Sequence, residues 1–517
     1  MRLTKSEKSW VLYDLAHSSY SVIVLAAIFP IYFAQVARAN GAPGDVWWGY
    51  ATSLASLLVA LAAPLLGAIG DYRGWKKRLL TIFLVFGALF TAAMAFTDNP
   101  LLMLVGYVFS FIGYEGANLF YDSFLTDVTT AERMHRVSST GFAVGYIGGC
   151  TPMFLIAIAL LTLGPYVGIN SIVAVKLSLI IACFWWLAFS LPLLRHVQQT
   201  HSIERSAQSK IFTQSLHNIG HTTHHFIHNH RLLFFILAYF FYIDGVNTVI
   251  SMATAYGSTL GLSSSMMMLA LLMIQVLAFP FALLYGYLAD HVGVLRMLQV
   301  GVLIYAIICV LGFYMGFSLE PQHNAYQKRY DQLIEQAGSG LDAAMLAQVK
   351  TTTAPVLAHS DRKQAVNQQL TDLSHGKSTS IRAGLEKIKQ TVAPFLSNRQ
   401  ISANYDHAIA FSTLLFWIIA LLVSTSQGGV QALSRSYFAQ IIPSARASEF
   451  FGFYDIFGKF ASIIGPFFYA FFASLTGRSS FGILSLILIF ATGFILLLCT
   501  QAKARQAIVP QRLYRSE

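Results

Sequence analysis

Gly67-Ala-Ile-Gly-Asp71-Tyr-Arg-Gly74-Trp-Lys76-Lys77-Arg78 follows the second of many long apolar runs. It has an echo: Gly286-Tyr-Leu-Ala-Asp290-His-Val-Gly293-Val-Leu-Arg296 follows the eighth run, with all three anchors displaced by 219 residues. Both read G-x3-D-x2-G followed by bases. The first glycine permits close helix approach, and the second supplies a tight turn. Asp71 can sit at the positive N-terminus of another helix and latch two parts of the chain together. A plainer reading is a basic turn that only fixes topology. The repeat favours the latch, a gate that takes in Gly67, Asp71, Gly74, Gly286, Asp290 and Gly293.

The runs around these loops set the class of protein. Of 517 residues, 56% are apolar and only 11% charged, and the mean hydropathy is +0.59. A soluble domain carries roughly 25% charged residues, so a soluble enzyme is excluded. Twelve runs are long enough to cross the hydrocarbon core as helices: 9–36, 47–69, 78–97, 101–123, 137–163, 171–194, 232–256, 265–289, 297–317, 407–432, 450–475 and 480–500. The first is too long for a cleaved signal peptide, and no small-residue cleavage site follows it. Twelve spans put both termini on one side, whose segments hold 20 Lys and Arg against Arg38 and Arg478 on the five short loops opposite. The positive-inside rule therefore places both termini in the cytoplasm. The formal charge of +11 is a topology signal, and no nucleic-acid partner is implied. Cys150, Cys183, Cys309 and Cys499 all fall within spans and read as small buried apolar residues.

Spans 4 and 10 align weakly, with Asn118 opposite Gln431, Asp122 opposite Arg435 and Ser123 opposite Ser436. The duplicated loop resembles the signature between spans 2 and 3 of major facilitator transporters, whose two six-helix halves are parallel repeats. A closer resemblance lies in Trp10-Val-Leu-Tyr-Asp14-Leu-Ala-His17-Ser18-Ser19-Tyr20 with Phe29-Pro30, and in Ala238-Tyr-Phe-Phe-Tyr242-Ile-Asp244-Gly245-Val-Asn-Thr248. Gly428-Gly-Val-Gln431-Ala-Leu-Ser434-Arg435-Ser, and Glu449-Phe-Phe-Gly452-Phe-Tyr454-Asp455 with Gly458-Lys459, extend it. These stretches look like the autophagy-related vacuolar amino-acid effluxer family and its bacterial relatives, the "unknown major facilitators". The chain departs from that pattern at His17, Asp122 and Thr126, where Asn, Asn and Pro are expected. The resemblance implies an all-α membrane protein of the major facilitator fold. Residues 1–194 and 232–500 are the halves, 195–231 a His-rich linker, 318–404 an outer helical insertion and 501–517 a basic tail.

Ionisable residues within a span are costly and point to function. Asp14 has His17 and Ser18 at i+3 and i+4, and Asp244 has Asn247 and Thr248 at the same offsets, so each set shares a helix face. The spans that carry them line the cavity in the resembled fold. Two acids facing each other there could carry protons or hold an ammonium group; hydrogen bonds between helices are the structural alternative. Glu115, Asn118 and Asp122 form one stripe on span 4, and none of Asp14, Glu115 and Asp244 has a basic partner within its own helix. Proton coupling is assigned to Glu115, Asp14, Asp244 and His17. Asp122 is expected at the gate, paired with Arg133, Arg136 or Arg435. Asp455 and Lys459, at i and i+4, either neutralise each other or leave Lys459 for a substrate carboxylate. Gln427 and Gln431 could hydrogen-bond a polar solute, and Trp10, Tyr13 and Tyr242 could wall the cavity, although for each of these aromatics packing is the stronger reading.

His217, His221, His224 and His228 follow helical spacing in the linker, but no Cys or acid accompanies them between 206 and 231, which favours an amphipathic linker over a metal site. The insertion 318–404 reads as two or three short helices, a cap or a partner-docking element. There is no G-x4-G-K-[ST] and no nucleophile–base pattern, so neither enzyme activity nor a cofactor is expected. The absence of an N-x-S/T sequon favours a bacterial inner membrane. The expected activity is secondary transport of a small polar solute, an amino acid or similar zwitterion, coupled to protons in a monomer. A siderophore, drug-like cation or peptide is the alternative cargo, and a non-transporting receptor using 318–404 the alternative function.

Overall fold

The computed structural model describes the backbone of residues 2–41, 44–204, 211–260, 262, 264–337 and 399–513. Twelve helices there are long and apolar enough to cross a membrane: α1 (Lys5–Ala37), α2 (Val46–Gly70), α3 (Trp75–Met94), α4 (Pro100–Val128), α5 (Met134–Val167), α6 (Ser171–His196), α7 (His230–Ala253), α8 (Met266–Val292), α9 (Val294–Pro321), α10 (His407–Ile441), α11 (Ser444–Thr476) and α12 (Ser479–Gln506). Local chemistry explains several starts. Thr4 and Glu7 close a capping box ahead of α1. Asn99 caps α4, with Pro100 in the first turn, and Asn170 caps α6.

Among the first six helices, α1 packs on α5 and α6, and α3 on α4 and α6; among the last six, α7 packs on α11 and α12, and α10 on α8 and α9. The two sets meet along α2–α11 and α5–α8, with α5 also against α10. Gly67 makes the first crossing possible, because a Cβ there would lie 2.2 Å from the Ser448 carbonyl oxygen. Gly286 does the same for the second, where a Cβ would lie 2.6 Å from the Ser139 side chain. Gly74 (φ 78°) and Gly293 (φ 97°) hold the left-handed turns after the two acids, as the duplicated motif predicts.

Two helices contain π-wound stretches. Ser21–Ala27 in α1 and Gly145–Cys150 in α5 are wound as π-helix, and the second lies against the α1 backbone and side chains at Leu15 and Ser18. The linker begins by folding onto the α2–α3 turn, where the Ile203 N–H donates to the Asp71 carbonyl at 2.9 Å. Its helix Ile211–His228 then seats Phe226 against Phe450 and Phe453 of α11. His224 stacks on His228, while the side chains of His217 and His221 lie outside the described residues.

One expectation needs correction. The sequence ends the ninth span at 317, yet the helix continues to Ala337, and the helix carrying α10 begins at Arg399. A helix of 44 residues is about 66 Å long, twice the hydrocarbon thickness of about 30 Å. Hydropathy marks where apolar residues stop, not where helical hydrogen bonding stops. The rest of the insertion, 338–398, and its expected short helices lie outside the described residues.

Candidate functional site

At the end of the bundle that carries the termini, polar contacts cross between the halves in pseudo-symmetric pairs. Asp71 accepts the backbone N–H groups of Ser448 (2.8 Å) and Glu449 (3.0 Å) at the start of α11. Asp290 pairs with Arg136 at the start of α5. Ser138 donates to the Ala432 carbonyl at 2.8 Å, and His135 shares a hydrogen bond with Ser436 at 2.9 Å. Glu7 receives Arg133 and Thr129, tying the start of α1 to the α4–α5 connection.

Burial pushes the Asp71 carboxyl up to about 7, against the opposing pull of Lys76 and the two backbone N–H groups. Separating α2 from α11 would return it to its ordinary value near 4. The packed arrangement therefore binds this proton more tightly. Its contribution to this contact is complete below about pH 4 and is lost as pH rises through about 7. The population with α2 and α11 in contact, read as the distance between spin labels on the two halves, should grow as pH falls from 8 to 6. Asp71→Asn should flatten that response.

Deeper in, Arg435 of α10 is the hub. It is buried, donating to Asp122 at 2.9 Å, to Asp14 at 3.1 Å and to the Ser138 hydroxyl at 3.0 Å. Its guanidinium lies between the rings of Trp10 (4.6 Å) and Phe142 (4.4 Å). Asp14 continues the network to His17 at 3.0 Å, and His17 to Tyr114 at 3.1 Å. Of the three bases expected for Asp122, the structure selects Arg435.

Further from the termini, Lys459 of α11 pairs with Glu115 of α4 across the two halves, and its ammonium lies 5.3 Å from the Phe111 ring centroid. Asp14 and Glu115, which lack bases within their own helices, find them on α10 and α11. One expectation is revised. Asp455 and Lys459 do not neutralise each other, because Lys459 reaches Glu115 and Asp455 has no hydrogen bond or ion pair among the described residues. Asp122, Glu115 and Lys459 are the charges acting on Asp455.

The remaining candidates divide by exposure. His17, Asn118, Gln427 and Gln431 are partly exposed between the halves, and Tyr146 donates weakly to Gln431 at 3.4 Å. Trp10, Tyr13 and Tyr242 are fully buried in this conformation: Trp10 and Tyr13 stack on Tyr121, and Tyr242 bonds Ser434 at 2.6 Å. Asp244 does not face Asp14 across a cavity; it is fully buried against α11 at Gly465. Asn247, its neighbour on α7, is partly buried and has a partner.

Sequence reading missed Thr52, Ser53 and Ser56 of α2, which with Lys459 and Phe460 line a cavity of about 330 Å³. Their hydroxyls sit in an apolar run, and small polar residues in membrane helices carry no distinctive signal. Among the described residues, no group of three His, Cys, Asp or Glu is placed to hold a metal ion.

The sequence matches the family described as "Vacuole effluxer Atg22 like" over residues 48–341 and 412–507. It is 37% identical over 502 residues to the "Uncharacterized MFS-type transporter YxiO" of Bacillus subtilis (strain 168), covering 96% of this chain and 95% of that one. It is also 37% identical, over 93 residues, to "Autophagy-related protein 22" of Candida glabrata, covering 18% and 17% of the two chains. Among solved structures, a bacterial homologue of the iron transporter ferroportin, in an outward-facing state, superposes with a TM-score of 0.57 at 10% identity, covering 97% of this chain and all (100%) of that one. The proton:xylose symporter XylE gives 0.55 at 13% identity, covering 95% and 94%. At such identities these two likenesses concern the fold alone.

Proposed function

The chain belongs to the Atg22-like vacuole effluxer family of major facilitator transporters, and from that premise we propose that it carries a small zwitterion, an amino acid or close analogue, coupled to protons. The observation that carries this reading is the Glu115–Lys459 pair beside Asp455, which has no hydrogen bond or ion pair among the described residues. Asp455 can take an ammonium group. Lys459, once released from Glu115, can take a carboxylate. Releasing Lys459 frees Glu115 to accept a proton, which links the solute to proton movement without a separate device. The Asp14–His17–Tyr114 chain is a second route for that proton.

The polar contacts gathered at the termini-bearing end act as the gate on that side, with Gly67, Asp71, Gly74, Asp122, Gly286, Asp290, Gly293 and Arg435 as its parts. The charge distribution among the loops supports reading this as the cytoplasmic side, and the absence of an N-x-S/T sequon supports a bacterial inner membrane.

Purified protein in liposomes should take up a zwitterionic amino acid when a pH gradient is imposed. Asp455→Asn should raise the half-saturating concentration about 10- to 100-fold, the effect of losing a charged hydrogen bond. Uptake indifferent to the gradient would sink proton coupling. Uptake confined to siderophores, peptides or drug-like cations, or an Asp455→Asn variant equal to the parent, would sink the zwitterion.

A further inference from the structure

The halves carry the same spacing of polar residues on their first helices, and the structure treats the two copies oppositely. In α1, Asp14 has Arg435 as a fixed cation, and Ser18 turns its hydroxyl onto the Asp14 carbonyl at 2.6 Å. In α7, Asp244 is fully buried, yet neither carboxylate oxygen has a hydrogen-bond partner among the described residues. One turn on, the buried Thr248 hydroxyl is also unpartnered. The Gly465 N–H acts on the carboxylate without completing a hydrogen bond.

Helix α11 approaches these oxygens through a glycine. A Cβ at Gly465 would lie 2.0 Å from Thr248 Oγ1 and 3.1 Å from Asp244 Oδ1. The next residue, Pro466, stands inside the helix without an N–H. It therefore releases the backbone carbonyl of residue 462, which in a helix points toward position 466. Asp244 Oδ1 and Thr248 Oγ1, both without partners among the described residues, thus face α11 next to a proline whose ring leaves one helical carbonyl without its usual N–H donor.

A carboxylate removed from water inside a membrane must either take up a proton or gain a compensating cation. Arg435 and Lys459 are engaged elsewhere, Arg435 by Asp14 and Asp122 and Lys459 by Glu115. One uncompensated negative charge calls for one positive charge, since a divalent ion would leave an excess in the hydrocarbon core. A proton would neutralise the carboxylate, and its single O–H could donate to just one of the other oxygens. A hard monovalent ion uses all of them, because such cations prefer oxygen donors. We propose that Asp244, Thr248 and the α11 backbone carbonyl released by Pro466 form a sodium site that bridges α7 and α11. The ion would thus couple α7 to the helix carrying Asp455 and Lys459. The assignment deepens the transporter reading, replacing Asp244 as a proton carrier, and its test reads binding rather than flux.

The melting temperature of the purified protein is measured in NaCl, KCl and choline chloride at constant ionic strength. Sodium alone should raise it saturably, by about 2 to 3 °C at a hundredfold excess over Kd. Asp244→Asn should melt higher than the parent without sodium, because an amide is cheaper to bury than a lone carboxylate, and should lose the sodium response. Thr248→Val and Gly465→Ala should lose it too, whereas Thr248→Ser should keep it. Equal responses to all three salts, or a sodium response that survives Asp244→Asn, overturns the site. A melting temperature that follows pH, ignores sodium and loses its pH response in Asp244→Asn assigns the site to a proton and overturns the sodium reading. A sodium response intact in a protein that moves no zwitterion supports the site and overturns only the substrate proposal.

Discussion

Replacing Arg435 with Met should abolish transport and lower the melting temperature more than any other single change proposed here. The guanidinium is the shared partner of Asp14 and Asp122, so its removal leaves two carboxylates buried without a fixed cation. Breaking a buried pair from one side costs about 3–5 kcal/mol of folding stability. Packing adds to the effect, since the rings of Trp10 and Phe142 lose the flat cation between them. The triple variant Asp14→Asn, Asp122→Asn, Arg435→Met separates folding from function. It should regain most of the melting temperature, because neutral residues of similar volume replace buried ion pairs at little cost, and it should still fail to transport. Near-normal flux in the single variant, measured in liposomes, would remove Arg435 from the centre of the mechanism.

The second large effect is expected at Glu115 and Lys459. Glu115→Gln leaves an ammonium at mid-depth without its counter-charge, and gradient-driven uptake should fall about 10- to 100-fold. The exchange Glu115→Lys with Lys459→Glu keeps one of each charge between α4 and α11. It should restore the melting temperature while leaving uptake indifferent to the pH gradient, since the proton-accepting carboxylate now stands on the wrong helix. Glu115→Gln with an undiminished response to the gradient would show that this pair is only structural.

The parts of the molecule legible in the sequence were those with periodic or repeated signals. The twelve apolar runs and the loop duplicated at an interval of 219 residues reappear as spans α1–α12 and as the paired turns at Gly74 and Gly293. Pairings between helices were not legible. The spacing of Asp455 and Lys459 suggests a local pair, but the choice of Glu115 instead depends on how α4 and α11 face each other. Asp244 shows the same limit. Its offsets to Asn247 and Thr248 match those of Asp14 to His17 and Ser18, yet only packing decides that one acid meets a guanidinium and the other a glycine backbone. The continuation of the ninth helix to Ala337 escaped because hydropathy cannot see a helix leave the membrane.

The π-wound stretches of α1 and α5 have a mechanical consequence. Each lies between a segment pinned at the termini-bearing end and a distal segment, Phe29–Ala39 in α1 and Thr151–Leu163 in α5. Widened turns of this kind are where helices bend. The distal part of α1, 11 residues, is a lever of about 16 Å, and a tilt of about 20° at its fulcrum sweeps the tip some 5 to 6 Å sideways. That displacement is about the width of an amino-acid side chain. Half a helix swinging on a pinned stub can therefore admit or retain a solute while the far end of the bundle stays shut.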